Sequence, residues 1–245
     1  MQCIIFCAGY ATRLYPLTKD TPKPLLLVAD LPMIEHILGR LDPHKQITKV
    51  HIVTNDKFYN TFVQWKNAFR SRFDITIHND GTKNNEDRLG SIGDLDFVLK
   101  AADITEDVLL IAGDNLFDDG LGDLLGIFEV HKKPVIGVYD IGSEELATRF
   151  GCVEVDRRNI ITKFEEKPAK ANTTLIATFI YAMPAKMLRN VHDYLAAGNN
   201  PDLAGNYIKH LAENNEIFAV PLEGRWFDIG SLDQYQAANA HYRNR

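Results

Sequence analysis

Three cysteines in 245 residues are too few for a disulfide framework. Cys3, Cys7 and Cys152 are scattered, and none forms a CxxC metal pair. An excess of basic charge is also missing. The chain carries 27 Lys and Arg against 33 Asp and Glu, a formal net charge of -6, which argues against a nucleic-acid binder needing a basic face for phosphates. There is no apolar run near the ~20 residues of a membrane-spanning helix. The opening MQCIIFCAG has no basic region before its short apolar stretch, so it reads as a strand and not as a secretory signal. The eight histidines, among them His36, His44 and His192, match no triad or metal-ligand spacing. No internal repeat, low-complexity tract or Gly/Ser linker interrupts the chain. A soluble, cytoplasmic protein is expected, with no membrane and no nucleic acid among its partners.

What is present is a rhythm of short apolar runs, Cys3 to Cys7, Val50 to Thr54, Val108 to Ala112 and Val135 to Tyr139, separated by polar or helix-patterned segments. Continuous apolar runs suit strands covered on both faces, so a mostly parallel sheet flanked by helices is predicted. Met33, Ile34, Ile37, Leu38 and Leu41 follow Pro32 at helical spacing and predict a helix packed on that sheet. After Gly151 the pattern becomes mixed. GCVEVD, NIITKFEEKP and TTLIATFIYAM read as strands, Lys186 to Ala196 and Asn206 to Glu213 as helices, with a strand near Phe218 and a helix from about Leu232. With 45% apolar residues, one domain over 1–245 is expected, its nucleotide-binding half about 1–140 and its acceptor-binding half about 141–245.

In open α/β sheets ligands bind beyond the carboxyl ends of strands, where CIIFCAG delivers Ala8, Gly9, Tyr10 and Ala11. Successive backbone amides there can face phosphate. Arg13 and Lys23 follow on a segment stiffened by Pro16, Pro22 and Pro24. Arginine grips phosphate oxygens through its planar fork, and lysine supplies a compact charge. VLLIAGDNLF places Gly113 and Asp114 at another strand end, and RWFDIGSL places Asp228 between apolar neighbours. Taken singly, each has a plainer role as turn glycine, solvated cation, helix-cap Asp or buried salt bridge.

Together the residues resemble a family. AGYATRLYPLTKDTPKPL is similar to the GxGTRLxPLTxxxPKPL signature of the sugar nucleotidylyltransferases, which include glucose-1-phosphate thymidylyltransferase, with Ala11 in place of the second Gly. The resemblance implies an α/β fold, a Rossmann-like three-layer, mostly parallel sheet flanked by helices, with mixed α/β elements on the acceptor side. It implies that Arg13 and Lys23 are catalytic and hold the nucleotide phosphates, beside Ala8, Gly9, Tyr10, Ala11, Thr12 and Gly113. It also implies that Asp114 and Asp228 bind Mg2+, since the GDN and WxDxG segments match; sequence spacing alone does not bring these two carboxylates together. KFEEKP resembles the family's EEKP motif, which implies that Lys167 contacts the acceptor phosphate and Glu166 the acceptor hydroxyls, with Gly151 from RFGCVEVD giving close access. NNEDRLGSIGD occupies the place of the base-recognising loop, with Asn85 reading the base edge and Gly90 over the base. That loop is unlike the PxGLAQA or GTAGA forms, so the base stays open. Phe179 stands where sugar enzymes carry a Gly near the hexose.

The implied reaction is in-line attack by an acceptor phosphate on the α-phosphorus of an NTP, releasing pyrophosphate. A phosphate monoester, with its second pKa near ~6, needs no strong general base. The acceptor is a sugar-1-phosphate, giving an NDP-sugar, or a non-sugar phosphate monoester, for instance in cytidylyl transfer. A nucleotide-sugar-binding regulatory homologue is the non-enzymatic alternative. A homo-oligomer is compatible with the sequence.

Overall fold

A computed structural model describes residues 1–244. In chain order the first elements are β1 (Gln2–Phe6), β2 (Leu27–Val28), β3 (Leu31–Pro32), α1 (Met33–Leu41), β4 (Lys49–Thr54), α2 (Tyr59–Ala68), β5 (Asp74–Asn79), α3 (Ser91–Ala101), β6 (Val108–Ala112) and β7 (Asn115–Phe117). There follow α4 (Gly122–His131), β8 (Val135–Asp140), α5 (Glu144–Ala147), β9 (Gly151–Val155), β10 (Ile161–Glu166) and β11 (Leu175–Met183). The chain ends with α6 (Ala185–Leu188), α7 (Asn190–Ala196), α8 (Ala204–Ala212), β12 (Phe218–Pro221), β13 (Trp226–Asp228) and α9 (Leu232–Arg243). It divides into two compact units, the first holding Met1–Arg88, Ile111–Gly120 and the chain from Glu223, the second Leu89–Leu110 and Leu121–Leu222.

In the first unit β1 pairs with β4 and β4 with β5, both parallel, in registers running from Cys3↔Val50 to Phe6↔Val53 and from Lys49↔Asp74 to Thr54↔Asn79. Parallel pairing puts the carboxyl ends at one edge, so Cys7, Asn55 and Asp80 all emerge there. Helix α1 starts directly after Pro32, whose fixed φ suits a helix entry. It buries the five apolar residues that its spacing marked, Met33, Ile34, Ile37, Leu38 and Leu41, each worth about 1.5–3 kcal/mol against exposure. A second cluster joins Leu14, Leu26, Val28, Met33, Leu116, Ile229 and Ala238. It anchors the long loop after β1 to the β7–β13 ribbon and to α9. That last helix is capped by Ser231, whose hydroxyl accepts from Gln234 N at 3.3 Å.

The second unit is mixed. β8 pairs antiparallel with β11 and parallel with β12, and β9 pairs antiparallel with β10. The expected helix over Lys186 to Ala196 is two short ones, α6 and α7, separated at Arg189. β5 was not among the expected strands, because DITIHN mixes exposed and buried positions without a continuous apolar run. Among the described residues no helix is long and apolar enough to cross a membrane. The three cysteines are free and buried.

Candidate active site

The loop after β1 is fixed from below by a buried asparagine. Asn55, at the carboxyl end of β4, donates its amide to Ala8 O at 2.8 Å and accepts from Phe58 N at 3.1 Å. Cys7 N continues the ladder to Val53 O at 2.8 Å. Gly9 then turns into open space, with nothing within 4 Å of an ideal Cβ. Ala11 lies in the left-handed region at φ 47 and ψ 39, the conformation that glycine adopts freely and alanine only at a cost of about 1–2 kcal/mol. Its carbonyl accepts from Leu14 N at 3.0 Å and from the Thr18 hydroxyl at 2.7 Å. The following 3-10 turn, Thr12–Leu14, buries Leu14 and leaves Thr12 and Arg13 exposed. Tyr10 is only 5% exposed, and burial raises its phenol pKa. Backbone, not ring, is what Tyr10 can offer a ligand.

Lys23 opens a second 3-10 turn after Pro22. Its ammonium lies 2.6 Å from Asp114 Oδ2 and 2.7 Å from Ile229 O. Asp114 sits one residue before β7, and Asp228 ends β13; these strands pair antiparallel with Asp228 opposite Asn115, and Ile229 N donates to Asp114 O at 3.2 Å. The ladder thus sets Asp228 opposite Asn115, the residue that follows Asp114, although Asp114 and Asp228 lie 114 positions apart in sequence (228 − 114). Gly113 is required by tight packing: its N donates to Phe6 O at 2.9 Å, and a Cβ there would lie 2.5 Å from Cys7 Sγ and 2.8 Å from Phe6 O. Asn85 is exposed in the loop after β5, its carbonyl accepting from Arg88 Nη1 at 3.0 Å.

In the second unit Gly90 precedes α3 at φ 79, and a Cβ there would lie 2.5 Å from Asp202 Cα. The close approach it permits is to the 201–202 backbone, whose Pro201 O accepts Ile92 N at 2.8 Å. At the end of β10 the residues implied for the acceptor do gather. Glu166 pairs in register with Gly151, and the missing side chains of Gly151 and Gly205 leave room for its carboxylate. Burial raises the Glu166 pKa, partly offset by the neighbouring Lys167. Lys167 is exposed at φ 45, its N donating to Phe150 O at 3.0 Å. Phe179 lies at φ 57 within the irregular stretch of β11, its ring stacked on Tyr181 at 5.2 Å. Burial, and next the charge of Glu166, push the Tyr181 phenol up.

Asn55, Ile229 and Gly205 shape these clusters without having been singled out in the sequence. Only Asn55 carried a signal, as a polar residue at a strand's carboxyl end.

The family model described as nucleotidyl transferase matches residues 2–245. The chain belongs to this family. Its curated relatives include the bifunctional protein GlmU of Methanococcus aeolicus, 30% identical over 98% of this chain and 54% of the relative. Another is the UTP–glucose-1-phosphate uridylyltransferase of a Synechocystis species, 27% identical over 97% of this chain and 62% of the relative. The chain spans about half the length of the GlmU relatives it matches, 54% and 55% in two of them. Solved structures of similar fold include an apo UDP-glucose pyrophosphorylase, TM-score 0.82 at 19% identity over 100% of this chain and 98% of that one. The UDP-glucose pyrophosphorylase of an Acinetobacter species gives 0.79 at 20% identity over 98% and 92%. These likenesses bear out the expected α/β, Rossmann-like architecture of this nucleotidyl transferase family member.

Among the described residues no three His, Cys, Asp or Glu side chains cluster as a self-sufficient metal site. The donor chemistry at Asp114 and Asp228 nonetheless fits Mg2+, which takes one or two carboxylates and completes its shell with substrate phosphates and water. One Asp114 oxygen and the neighbouring Ile229 carbonyl already hold a cation, the Lys23 ammonium.

Proposed function

We propose that the chain transfers a nucleotidyl group from an NTP to the phosphate of a small acceptor, releasing pyrophosphate. The observation that carries this is the Lys23 ammonium held by Asp114 and by Ile229 O, beside the register that sets Asp228 opposite Asn115; Arg13, exposed on the loop after β1, supports the same reading. An acceptor phosphate oxygen bonds to the α-phosphorus as the bond from that phosphorus to the bridging oxygen breaks. The electron pair leaves with pyrophosphate. The backbone from Ala8 to Thr12 and Gly113 would bind the triphosphate, and Arg13 and Lys23 would stabilise its charge. Mg2+, held by Asp114 and Asp228, would neutralise phosphate charge. Asn85 and Gly90 belong to the segment we assign to base selection.

On the acceptor side Lys167 would take the phosphate and Glu166 the hydroxyls, beside Gly151. A sugar-1-phosphate is the favoured acceptor, in keeping with the sugar-phosphate enzyme named among the relatives. A smaller or non-sugar phosphate monoester is the second reading, favoured by the bulk of the Phe179 ring at φ 57. Buried free thiols suit a cytoplasmic location. Pyrophosphate release from the common NTPs and dTTP, each paired with sugar-1-phosphates and small alcohol phosphates, tests the proposal and separates the two readings.

A further inference from the structure

Lys23 does more than wait for a triphosphate. Its ammonium has three donors, and two of them are engaged, by Asp114 Oδ2 at 2.6 Å and by Ile229 O at 2.7 Å. The lysine side chain is 15% exposed and the aspartate side chain 32%, so the pair is partly withdrawn from water, where charges interact more strongly than at a free surface. Pro22 and the 3-10 turn that follows fix the lysine backbone, and the β7–β13 pairing fixes both the carboxylate and the carbonyl. The contact is therefore set by three pieces of rigid backbone.

We infer that Lys23 is a built-in placeholder for the divalent cation, occupying the Asp114 carboxylate until a polyphosphate draws the ammonium away. The inference rests on the proposed function, because it takes Asp114 and Asp228 as the metal-binding carboxylates. A divalent ion arriving alone must displace an ammonium from Asp114 and then sit beside its positive charge. With polyphosphate present, the ammonium has a more strongly anionic partner, and the metal gains both the freed carboxylate and phosphate oxygens. Metal and nucleotide then favour each other's binding, and the coupling is reciprocal. The arrangement shields Asp114 from stray divalent ions without leaving its carboxylate unpaired.

Mn2+ alone, followed by electron paramagnetic resonance on the full chain without nucleotide, tests this. Lys23→Met should bind Mn2+ more tightly than the native chain, within the usual coupling range of roughly 5- to 150-fold, whereas Lys23→Arg, which keeps the charge, should stay weak. Circular dichroism checks that both variants are folded. The native chain supplies an independent measurement: saturating Mn2+ should raise the labelling of Lys23 by an amine-reactive reagent relative to the exposed lysines. Equal Mn2+ affinity in the native and Lys23→Met chains, or Lys23 labelling unmoved by Mn2+, overturns the placeholder. If that happens while Asp114→Asn and Asp228→Asn still weaken Mn2+ binding, the metal-site assignment stands and the placeholder alone is wrong. If neither Asn variant changes Mn2+ binding in either background, the metal-site assignment fails as well.

Discussion

Gly205 leaves the space that the Glu166 carboxylate fills: a Cβ at position 205 would fall inside the van der Waals sphere of Glu166 Oε2. Helix α8 and the end of β10 are thereby fitted to each other at the acceptor side. Gly205→Ala should displace that carboxylate and destabilise the fold by the ~1–3 kcal/mol typical of overpacking. It should also raise the acceptor KM more than the NTP KM. Unchanged acceptor kinetics in a folded variant would show that Glu166 does not touch the acceptor.

The same burial makes Glu166 a source of pH dependence. Its folded pKa lies above the ordinary 4.5, so the folded chain holds more protons than the unfolded one in the window from 4.5 up to the raised value. Glu166's contribution is fully present below 4.5 and is lost as pH rises through the folded pKa. Glu166→Gln, which never ionises, should therefore melt higher than the native chain at neutral pH. That difference should shrink as the pH falls toward 4.5. Thermal melts across this range check it, and a constant difference would contradict the cause given.

Phe179 combines an unfavourable backbone with a stacked ring, at φ 57 and 5.2 Å from Tyr181. Replacing it by Gly and by Ala removes the ring in both cases and changes only the backbone tolerance. Phe179→Gly should be more stable than Phe179→Ala by about 1 kcal/mol, read from urea denaturation. Both should accept larger acceptors if the ring narrows the pocket.

Arg13 is the exposed middle residue of a turn whose backbone is tied to Ala11 and whose Leu14 is buried. Arg13→Ala should leave folding intact and cut turnover by about 100-fold or more, the size expected for removing a transition-state charge stabiliser. Asp228→Asn should do likewise. Steady-state rates with circular dichroism check both, and near-native turnover in the two variants would remove these residues from the site.

Lys167 projects into solvent just beyond β10. Lys167→Ala should raise the acceptor KM about tenfold, the loss of one charge-assisted hydrogen bond, with little change for the NTP. Equal effects on both substrates would contradict its assignment to the acceptor.

Much of this was legible in the sequence for identifiable reasons. The run Val108 to Ala112 is entirely apolar because β6 is buried throughout. The α1 stripe shows because one face of that helix is solvated. The approach of Asp228 to the 114–115 segment was not legible, since it depends on the β7–β13 register and on two short strands, of three residues each. The Ile229 carbonyl is invisible for a different reason, because a backbone acceptor leaves no mark on residue type. Gly205 lies just before the expected Asn206 to Glu213 helix, and its need for a missing side chain comes only from the Glu166 carboxylate, 39 positions away (205 − 166). At position 11, the expectation that alanine replaces a glycine is matched by a left-handed backbone, which explains why the pattern favours glycine there.

Nucleotidyl transfer itself is tested most directly by phosphorus NMR of an NTP incubated with Mg2+, the chain and a phosphorylated acceptor. The account predicts resonances of free pyrophosphate and of a new nucleoside diphosphate-linked product, growing together only when both substrates are present. Orthophosphate release, or an unchanged NTP spectrum with every acceptor, would contradict it.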